Sequence, residues 1–167
     1  MNYFDFFGLP HKLDVDLQDL ERRFHSLSRQ HHPDRFTLKS REEQQKALDA
    51  TALLNDAYRT LRDPIQRAEY LLKEHGFDIG EQKSNNVPPE LLEEVFALNM
   101  AIEEMDRPEL EKSRQRFTGM QEELDTELAA KYSAYDAAGD RGVLSEIRGL
   151  LNRRKYIHNL IGTTTLP

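Results

Sequence analysis

Apolar residues recur along the chain with the spacing of α-helices. The first clear segment runs from about Val15 to His31, and Asp14 or Asp16 is expected to cap it. The residues that share one face of this predicted helix are Leu17, Leu20, Phe24, Leu27 and His31. No alternation of period two persists anywhere in the sequence. The pattern therefore predicts an all-α protein.

A second and a third helix follow the first. Ser40 and Glu43 have the spacing of a capping box, which predicts a helix start at this point. Asp63-Pro64 ends that helix and begins a shorter one that stops at Gly76. The residues predicted to pack are Ala47, Leu54, Ala57, Tyr58 and Leu61, then Ile65, Ala68, Leu71 and Leu72. Pro33 ends the first helix, so a loop of about eight residues joins two antiparallel helices.

Turn-forming residues divide the chain in two. Residues 76–88 contain two Gly, two Asn, a Ser and a Pro, which is typical of a connector. We predict one domain over 1–76, a linker over 77–88 and a second domain over 89–167. Phe77, Ile79 and Val87 are candidates for packing the linker. Three further helices with short turns near 107 and 139–142 predict an antiparallel three-helix bundle.

The apolar positions of the second domain predict its core. The residues predicted to face inward on the long helix are Leu110, Phe117, Leu124, Leu128 and Tyr135. The helix from Glu90 to Met105 has two apolar stripes. One consists of Leu91, Val95, Leu98, Ile102 and Met105, and the other of Leu92, Phe96 and Met100. The second stripe either widens the core or packs on neighbouring segments, or it forms an exposed patch for a partner.

The composition of the chain argues against several classes of function. The net charge is −7, and segment 81–127 alone holds 13 acidic and 5 basic residues, which argues against nucleic-acid binding. The absence of cysteine excludes disulfides and thiolate-bound zinc or iron–sulfur clusters, so no cofactor or metal is expected. No apolar run is long enough to span a membrane, and the N-terminus lacks the basic region of a signal peptide.

The tripeptide His32-Pro33-Asp34 lies between the two central helices, where polar residues suit an exposed recognition loop. Arg22, His25, Arg29 and His32 line the face opposite the apolar one, which alone indicates only a solvated surface. A metal site or an acid–base pair at His31, His32 and Asp34 is the enzymatic alternative. Adjacent histidines on a helix point in different directions, and no second ligand cluster or Walker-type loop accompanies them. We therefore predict a protein that is not an enzyme.

The blocks YFDFFGLP, RQHHPDRF and LRDPIQRAEYLL resemble the J-domain of the HscB family of iron–sulfur co-chaperones. The connector and the acidic three-helix bundle resemble the rest of that family. The resemblance implies that His32, Pro33 and Asp34 trigger ATP hydrolysis in an HscA/DnaK-type chaperone. It also implies that basic residues of the J-domain contact the chaperone, namely Arg22, Arg23, Arg29 and Arg35.

The same resemblance implies that the bundle binds an IscU-type scaffold. The residues implied are Leu92, Phe96 and Met100 with Glu93, Glu103 and Leu151. The chain departs from the family where Ala97, Asn99, Met100 and Ala101 are uncharged. The protein is expected to be a monomer. A bacterial cytoplasm is expected in preference to the mitochondrial matrix, since the cysteine-rich N-terminal extension of some eukaryotic relatives is missing. A J-domain protein with another client is the alternative.

Overall fold

A computed structural model describes residues 2–77 and 89–164, with only the backbone of Leu91. The described residues form seven α-helices and one 3₁₀ helix. Their bounds are α1 Tyr3–Phe7, α2 Leu17–His31, the 3₁₀ helix Pro33–Phe36, α3 Arg41–Arg62, α4 Pro64–Glu74, α5 Pro89–Glu103, α6 Arg107–Ala138 and α7 Arg141–Thr164. The described residues contain no strand, and the predicted all-α class is confirmed.

The chain divides into two compact units, Met1–Gly76 and Phe77–Pro167. The predicted linker falls almost entirely on residues 78–88, outside the described residues, as do its packing candidates Ile79 and Val87. Phe77 is described, and its ring lies under two guanidinium groups of α7. The guanidinium carbon of Arg141 is 4.5 Å from the ring centroid, and that of Arg148 is 5.9 Å away. The face of an aromatic ring attracts a cation electrostatically, so both contacts with Phe77 are favourable.

Helices α2 and α3 form the antiparallel hairpin of the first unit. The rings of Phe24 and Tyr58 stack with centroids 4.2 Å apart. At the C-terminal end of α2, Thr51 Oγ1 donates to the His31 carbonyl at 3.3 Å. The later position of α2 thus contacts the earlier position of α3, as antiparallel packing requires. The flanking helices α1 and α4 complete a core of Phe4, Phe7, Leu13, Leu20, Ala47, Leu54, Ala57, Leu61, Ala68, Leu71 and Leu72.

The caps explain where the hairpin helices begin. The Asp16 carboxylate accepts from the amides of Gln18 and Asp19, so Asp16 rather than Asp14 is the cap of α2. Leu17 is 52% exposed, which corrects its predicted place on the packed face. Leu17 is the first residue of α2, and its side chain is not packed in the core. The predicted cap of α3 is confirmed, because Ser40 Oγ accepts from the Glu43 amide at 3.2 Å.

A buried arginine ties the short segments of the first unit together. Arg67 is 6% exposed. Its Nε donates to the Leu13 carbonyl at 2.7 Å, and its Nη1 donates to the Leu61 carbonyl at 2.6 Å. The second bond satisfies a carbonyl at the end of α3, which has no partner within its own helix. A side chain in α4 thereby fixes both the segment before α2 and the end of α3.

The second unit is an antiparallel bundle of α5, α6 and α7. Asp106 and Glu109 form a reciprocal capping box that starts α6, so Arg107-Pro108 opens this helix and does not merely break the preceding one. Helices α6 and α7 run along each other, and α5 lies mainly against α7. Ion pairs Lys131–Glu146 and Arg154–Asp125 join α6 to α7. Of the predicted inward residues of α6, Leu110 is partly buried against the core, and the others are buried, namely Phe117, Leu124, Leu128 and Tyr135.

Candidate functional site

The site in the first unit is built on the segment that joins α2 to α3. His32 is the first residue after α2, and its side chain caps the 3₁₀ helix that Pro33 begins. The Nδ1 atom of His32 accepts a hydrogen bond from the Asp34 amide at 3.2 Å. With Nδ1 accepting, the neutral ring carries its proton on Nε2. The His32 side chain therefore restrains the backbone of the tripeptide.

Both polar side chains of the tripeptide face solvent. The side chain of His32 is 54% exposed, and that of Asp34 is 88% exposed. A shallow surface depression is lined by Ser28, Arg29, His32, Asp34 and Arg35. The predicted residues Arg29 and Arg35 are thus brought together with the tripeptide. Ser28 is not among the predicted residues, although its position one turn before His32 on the helix is a usable signal.

The two neighbouring arginines of α2 differ in their roles. The Arg22 side chain is 70% exposed, with Nη2 3.6 Å from an Asp19 oxygen. Arg23 instead donates from Nε to Asp19 at 2.9 Å, and from Nη1 to the carbonyls of Phe7 and Gly8 at 2.9 and 3.0 Å. Arg23 therefore holds the end of α1 against α2. Its assignment as a partner contact stays a prediction, because the side chain remains 40% exposed.

Gly8 makes the Arg23 contact possible. It ends α1 with φ of +67°, in the left-handed region that favours glycine. A Cβ placed on it would lie 3.2 Å from Arg23 Nη1. The left-handed φ and the close approach of the guanidinium therefore both favour glycine at this position.

The histidine before the tripeptide belongs to the packing. His31 is half-buried, and its ring stacks on Phe6 with centroids 6.2 Å apart. Within residues 2–77 and 89–164, no group of three His, Cys, Asp or Glu side chains is arranged to hold a metal ion. The arrangement at 28–35 offers exposed cations, an imidazole and a carboxylate, which suits recognition of a protein surface.

The second unit exposes an apolar surface on α5. Phe96 is 68% exposed and Met100 is 55% exposed, while Leu92 is half-buried. The opposite side of α5 contributes Leu98 and Ile102 to the core with Phe117 and Leu160, and Met105, two residues after the helix, packs against the same core. Phe96 and Met100 therefore do not widen the core. The α5 surface, defined here as Leu92, Phe96 and Met100, is flanked by exposed Glu93 and Glu103.

Leu151 does not belong to the α5 surface. It is only 8% exposed and lies four residues after Ile147, which is fully buried on the same face of α7. The expectation that Leu151 contacts a partner is corrected, since its side chain is packed inside the bundle. The sequence alone could not separate it from Leu150, because both leucines lie within the width of an apolar helix face.

Two family descriptions match the chain. Residues 2–70 match the DnaJ domain, and residues 87–163 match the HSCB C-terminal oligomerisation domain. Two solved structures align with nearly all of the chain. Human co-chaperone protein HscB is 25% identical with a TM-score of 0.78, over 98% of this chain and 80% of that one. Chaperone HscB from Vibrio cholerae is 28% identical with a TM-score of 0.70, over 98% of this chain and 95% of that one.

The helical hairpin with an ordered, exposed His-Pro-Asp turn defines a J-domain protein. Because the HscB C-terminal domain follows it, the chain belongs to the HscB-type J-domain co-chaperones. These proteins are co-chaperones and not catalytic enzymes, and membership supports a role in the chaperone steps of iron–sulfur cluster assembly. The J-domain implies an Hsp70-type partner, and the second domain implies a scaffold partner. None of the helices in the described residues is long and apolar enough to cross a membrane.

Proposed function

We propose that this protein binds an IscU-type iron–sulfur scaffold through its C-terminal bundle and delivers it to an HscA/DnaK-type chaperone. In this proposal the His-Pro-Asp turn stimulates the ATPase of that chaperone and so promotes cluster transfer. The iron–sulfur cluster is cargo of the scaffold, and the co-chaperone holds no cluster of its own. Its contribution is positional, because it brings the chaperone and the scaffold together.

The observation that best supports this proposal is the conformation of the tripeptide. An Nδ1-capped 3₁₀ turn leaves His32 and Asp34 exposed beside Arg29 and Arg35. A turn that is already ordered loses little conformational entropy when a partner engages it. The exposed cations attract an acidic partner surface over a Debye length of about 8 Å at physiological salt. Arg22, about two turns before Arg29 on α2, extends the same basic surface.

The α5 surface supports the scaffold part of the proposal. Phe96 and Met100 offer apolar area that the bundle core does not use. Aromatic and methionine side chains are enriched in the buried centres of protein interfaces. The flanking Glu93 and Glu103 favour a scaffold with basic residues around an apolar centre. The uncharged positions Ala97 and Asn99 leave the acidic rim thinner on this helix than the resemblance implies.

Because one chain carries both proposed sites, binding of the scaffold is coupled to binding of the chaperone. A scaffold held by the bundle is thereby presented to the chaperone at a raised local concentration. We propose the domain limits 1–76, 77–88 and 89–167 for this arrangement. A cytoplasmic, monomeric protein is proposed with them. Light scattering checks the monomer, and a stable dimer would agree with the oligomerisation named in the second family description.

The deciding experiment measures ATP hydrolysis by an HscA-type chaperone with this protein and an IscU-type scaffold, each alone and together. Wild type is compared with His32→Gln. The expected result is stimulation greater than the sum of the separate effects, lost in the variant with an unchanged melting temperature. Stimulation that ignores the scaffold would indicate a different client. A wild-type response from His32→Gln would contradict the role of the tripeptide.

A further inference from the structure

Leu38 lies in the segment between the 3₁₀ helix and α3 and is 99% exposed. The other exposed large apolar residues of the described chain lie on helices and range from 51% to 68% exposed. A single exposed leucine is ordinary on a protein surface and needs no function. Leu38 differs because hydrogen bonds fix the backbone on both sides of it. Its side chain is therefore held in a defined position on the surface.

Gln44 holds the backbone on both sides of Leu38. Its Nε2 donates to the Thr37 carbonyl at 3.2 Å and to the Lys39 carbonyl at 3.1 Å. The Lys39 amide also donates to the Phe36 carbonyl at 3.0 Å. One amide side chain in the first turn of α3 therefore clamps the two residues adjacent to Leu38. The clamp reduces the conformational freedom that a contact at Leu38 would otherwise have to remove.

The Leu38 segment continues directly from the His-Pro-Asp turn. Thr37 Oγ1 donates to the Asp34 carbonyl at 3.5 Å, which connects the two parts of the loop. Across residues 29–41 the charged side chains are Arg29, Arg35, Lys39 and Arg41 with Asp34 as the single carboxylate. A partner surface that fits this loop has an apolar depression for the leucine and carboxylates around it.

We propose that Leu38 is an apolar anchor that inserts into an acid-rimmed depression on the same ATP-dependent chaperone that engages the His-Pro-Asp turn. Gln44 is the positioning residue that presents it. This inference rests on the proposed function, since it assumes that the tripeptide engages such a chaperone. It adds a contact that is apolar, whereas Arg22, Arg29 and Arg35 supply charge.

The test compares Leu38→Ser with Leu17→Ser in the chaperone ATPase assay. Leu17 is a matched control because it is also an exposed leucine, at the opposite end of α2 from the tripeptide. Burial of a leucine side chain corresponds to about a tenfold change in affinity or more. Leu38→Ser is expected to raise the half-saturating concentration of the co-chaperone about tenfold, while Leu17→Ser leaves it unchanged.

Salt dependence and melting temperature distinguish a lost apolar contact at Leu38 from a lost charge interaction or a folding defect. The Leu38→Ser defect should be the same at low and high salt, because an apolar contact is not screened. The melting temperature should not change, since the side chain has no packing to lose. Wild-type half-saturation of Leu38→Ser would overturn the inference while His32→Gln still abolishes stimulation. If His32→Gln is also active, the proposed function itself fails.

A double-mutant cycle tests the role of Gln44. Gln44→Ala removes the clamp, and Gln45→Ala is its control because the Gln45 amide donates instead to Asp49 at 2.9 Å. Gln44→Ala should raise the half-saturating concentration, and Leu38→Ser in the Gln44→Ala background should add little further, because the two residues act through one contact. Fully additive effects would overturn the positioning role.

Discussion

Individual residues in the first unit divide into those that maintain the fold and those that remain available to partners. Arg67 and Arg23 donate to backbone carbonyls of segments far from them in sequence. Arg22, Arg29 and Arg35 remain exposed. Each of these five arginines contributes one positive charge, so the sequence alone groups Arg23 with the residues predicted to contact a partner. The difference depends on the position of α1, which no local pattern around residue 23 reveals.

Replacing Arg67 by Met should destabilise the protein strongly. The substitution preserves much of the side-chain volume but leaves the Leu13 and Leu61 carbonyls without these donors. Unsatisfied buried polar groups cost about 1–3 kcal/mol each, so a loss of about 3 kcal/mol in unfolding free energy is expected. Chemical denaturation measures it. A loss below about 0.5 kcal/mol, the level of an ordinary surface change, would show that the two bonds are dispensable.

Arg22→Ala and Arg23→Ala should have opposite consequences. The first should weaken stimulation of the chaperone in a salt-dependent manner with an unchanged melting temperature, because Arg22 is exposed and long-range attraction is screened. The second should lower the melting temperature, because α1 loses its bonds to α2. Thermal unfolding and ATPase titrations at two salt concentrations separate the cases. Equal melting temperatures for both variants would contradict the structural role of Arg23.

At the scale of helices, the sequence pattern is most informative where one face is buried and the other is solvated. The limits of α3 and α4 follow from Ser40, Asp63 and Pro64, which act locally as caps and starts. The last helices are less well determined by their sequence. α5 is apolar on more than one side, and its exposed side becomes evident only from the packing of Leu98 and Ile102 against the other helices.

The contrast between Phe96 and Leu151 gives a prediction for the bundle. Phe96→Ala should weaken binding of an IscU-type scaffold while the melting temperature stays near that of wild type, because the ring is largely exposed. Leu151→Ala should instead cost about 2–5 kcal/mol of stability, as for other buried leucines. Calorimetric titration with the scaffold and thermal unfolding measure the two effects. Unfolding of the Phe96→Ala variant would show that the ring is part of the core.

At the scale of the whole molecule, each unit has its own apolar core and its own exposed surface, which we propose for a partner. The tripeptide region is basic and polar, whereas the α5 surface is apolar with acidic neighbours. The distribution of charge thus differs between the two proposed surfaces within one chain of net charge −7. The sequence predicts this division, because charge and apolar periodicity are local properties, but it could not assign individual contacts such as those of Arg23 and Leu151.

Alkaline pH should destabilise both units. Burial raises the pKa of Tyr70 in the first unit and of Tyr135 in the second above the ordinary value of 10.0. The unfolded chain therefore loses these protons at a lower pH than the folded one. Stability is fully present below about pH 10 and is lost as pH rises through the raised folded pKa values. Denaturation at several pH values measures the loss.

Phenylalanine variants provide the control for this pH dependence. Tyr70→Phe and Tyr135→Phe should each flatten the alkaline decline, because the ionising group is gone. Tyr70→Phe should also lower the neutral-pH stability slightly, since the Tyr3 amide donates to Tyr70 Oη at 2.8 Å. A decline of unchanged steepness in both variants would assign the alkaline loss to other groups.

The bond from Arg67 to Leu13 has a consequence for the order of folding. It spans 54 positions, whereas the α2–α3 hairpin closes over a short connection. Long closures are entropically costlier than short ones, so the hairpin is expected to assemble first and the N-terminal segment to dock afterwards. Arg67→Met should then accelerate unfolding far more than it slows refolding in stopped-flow experiments. Newly synthesised chains would consequently display the His-Pro-Asp turn before α1 is locked in place.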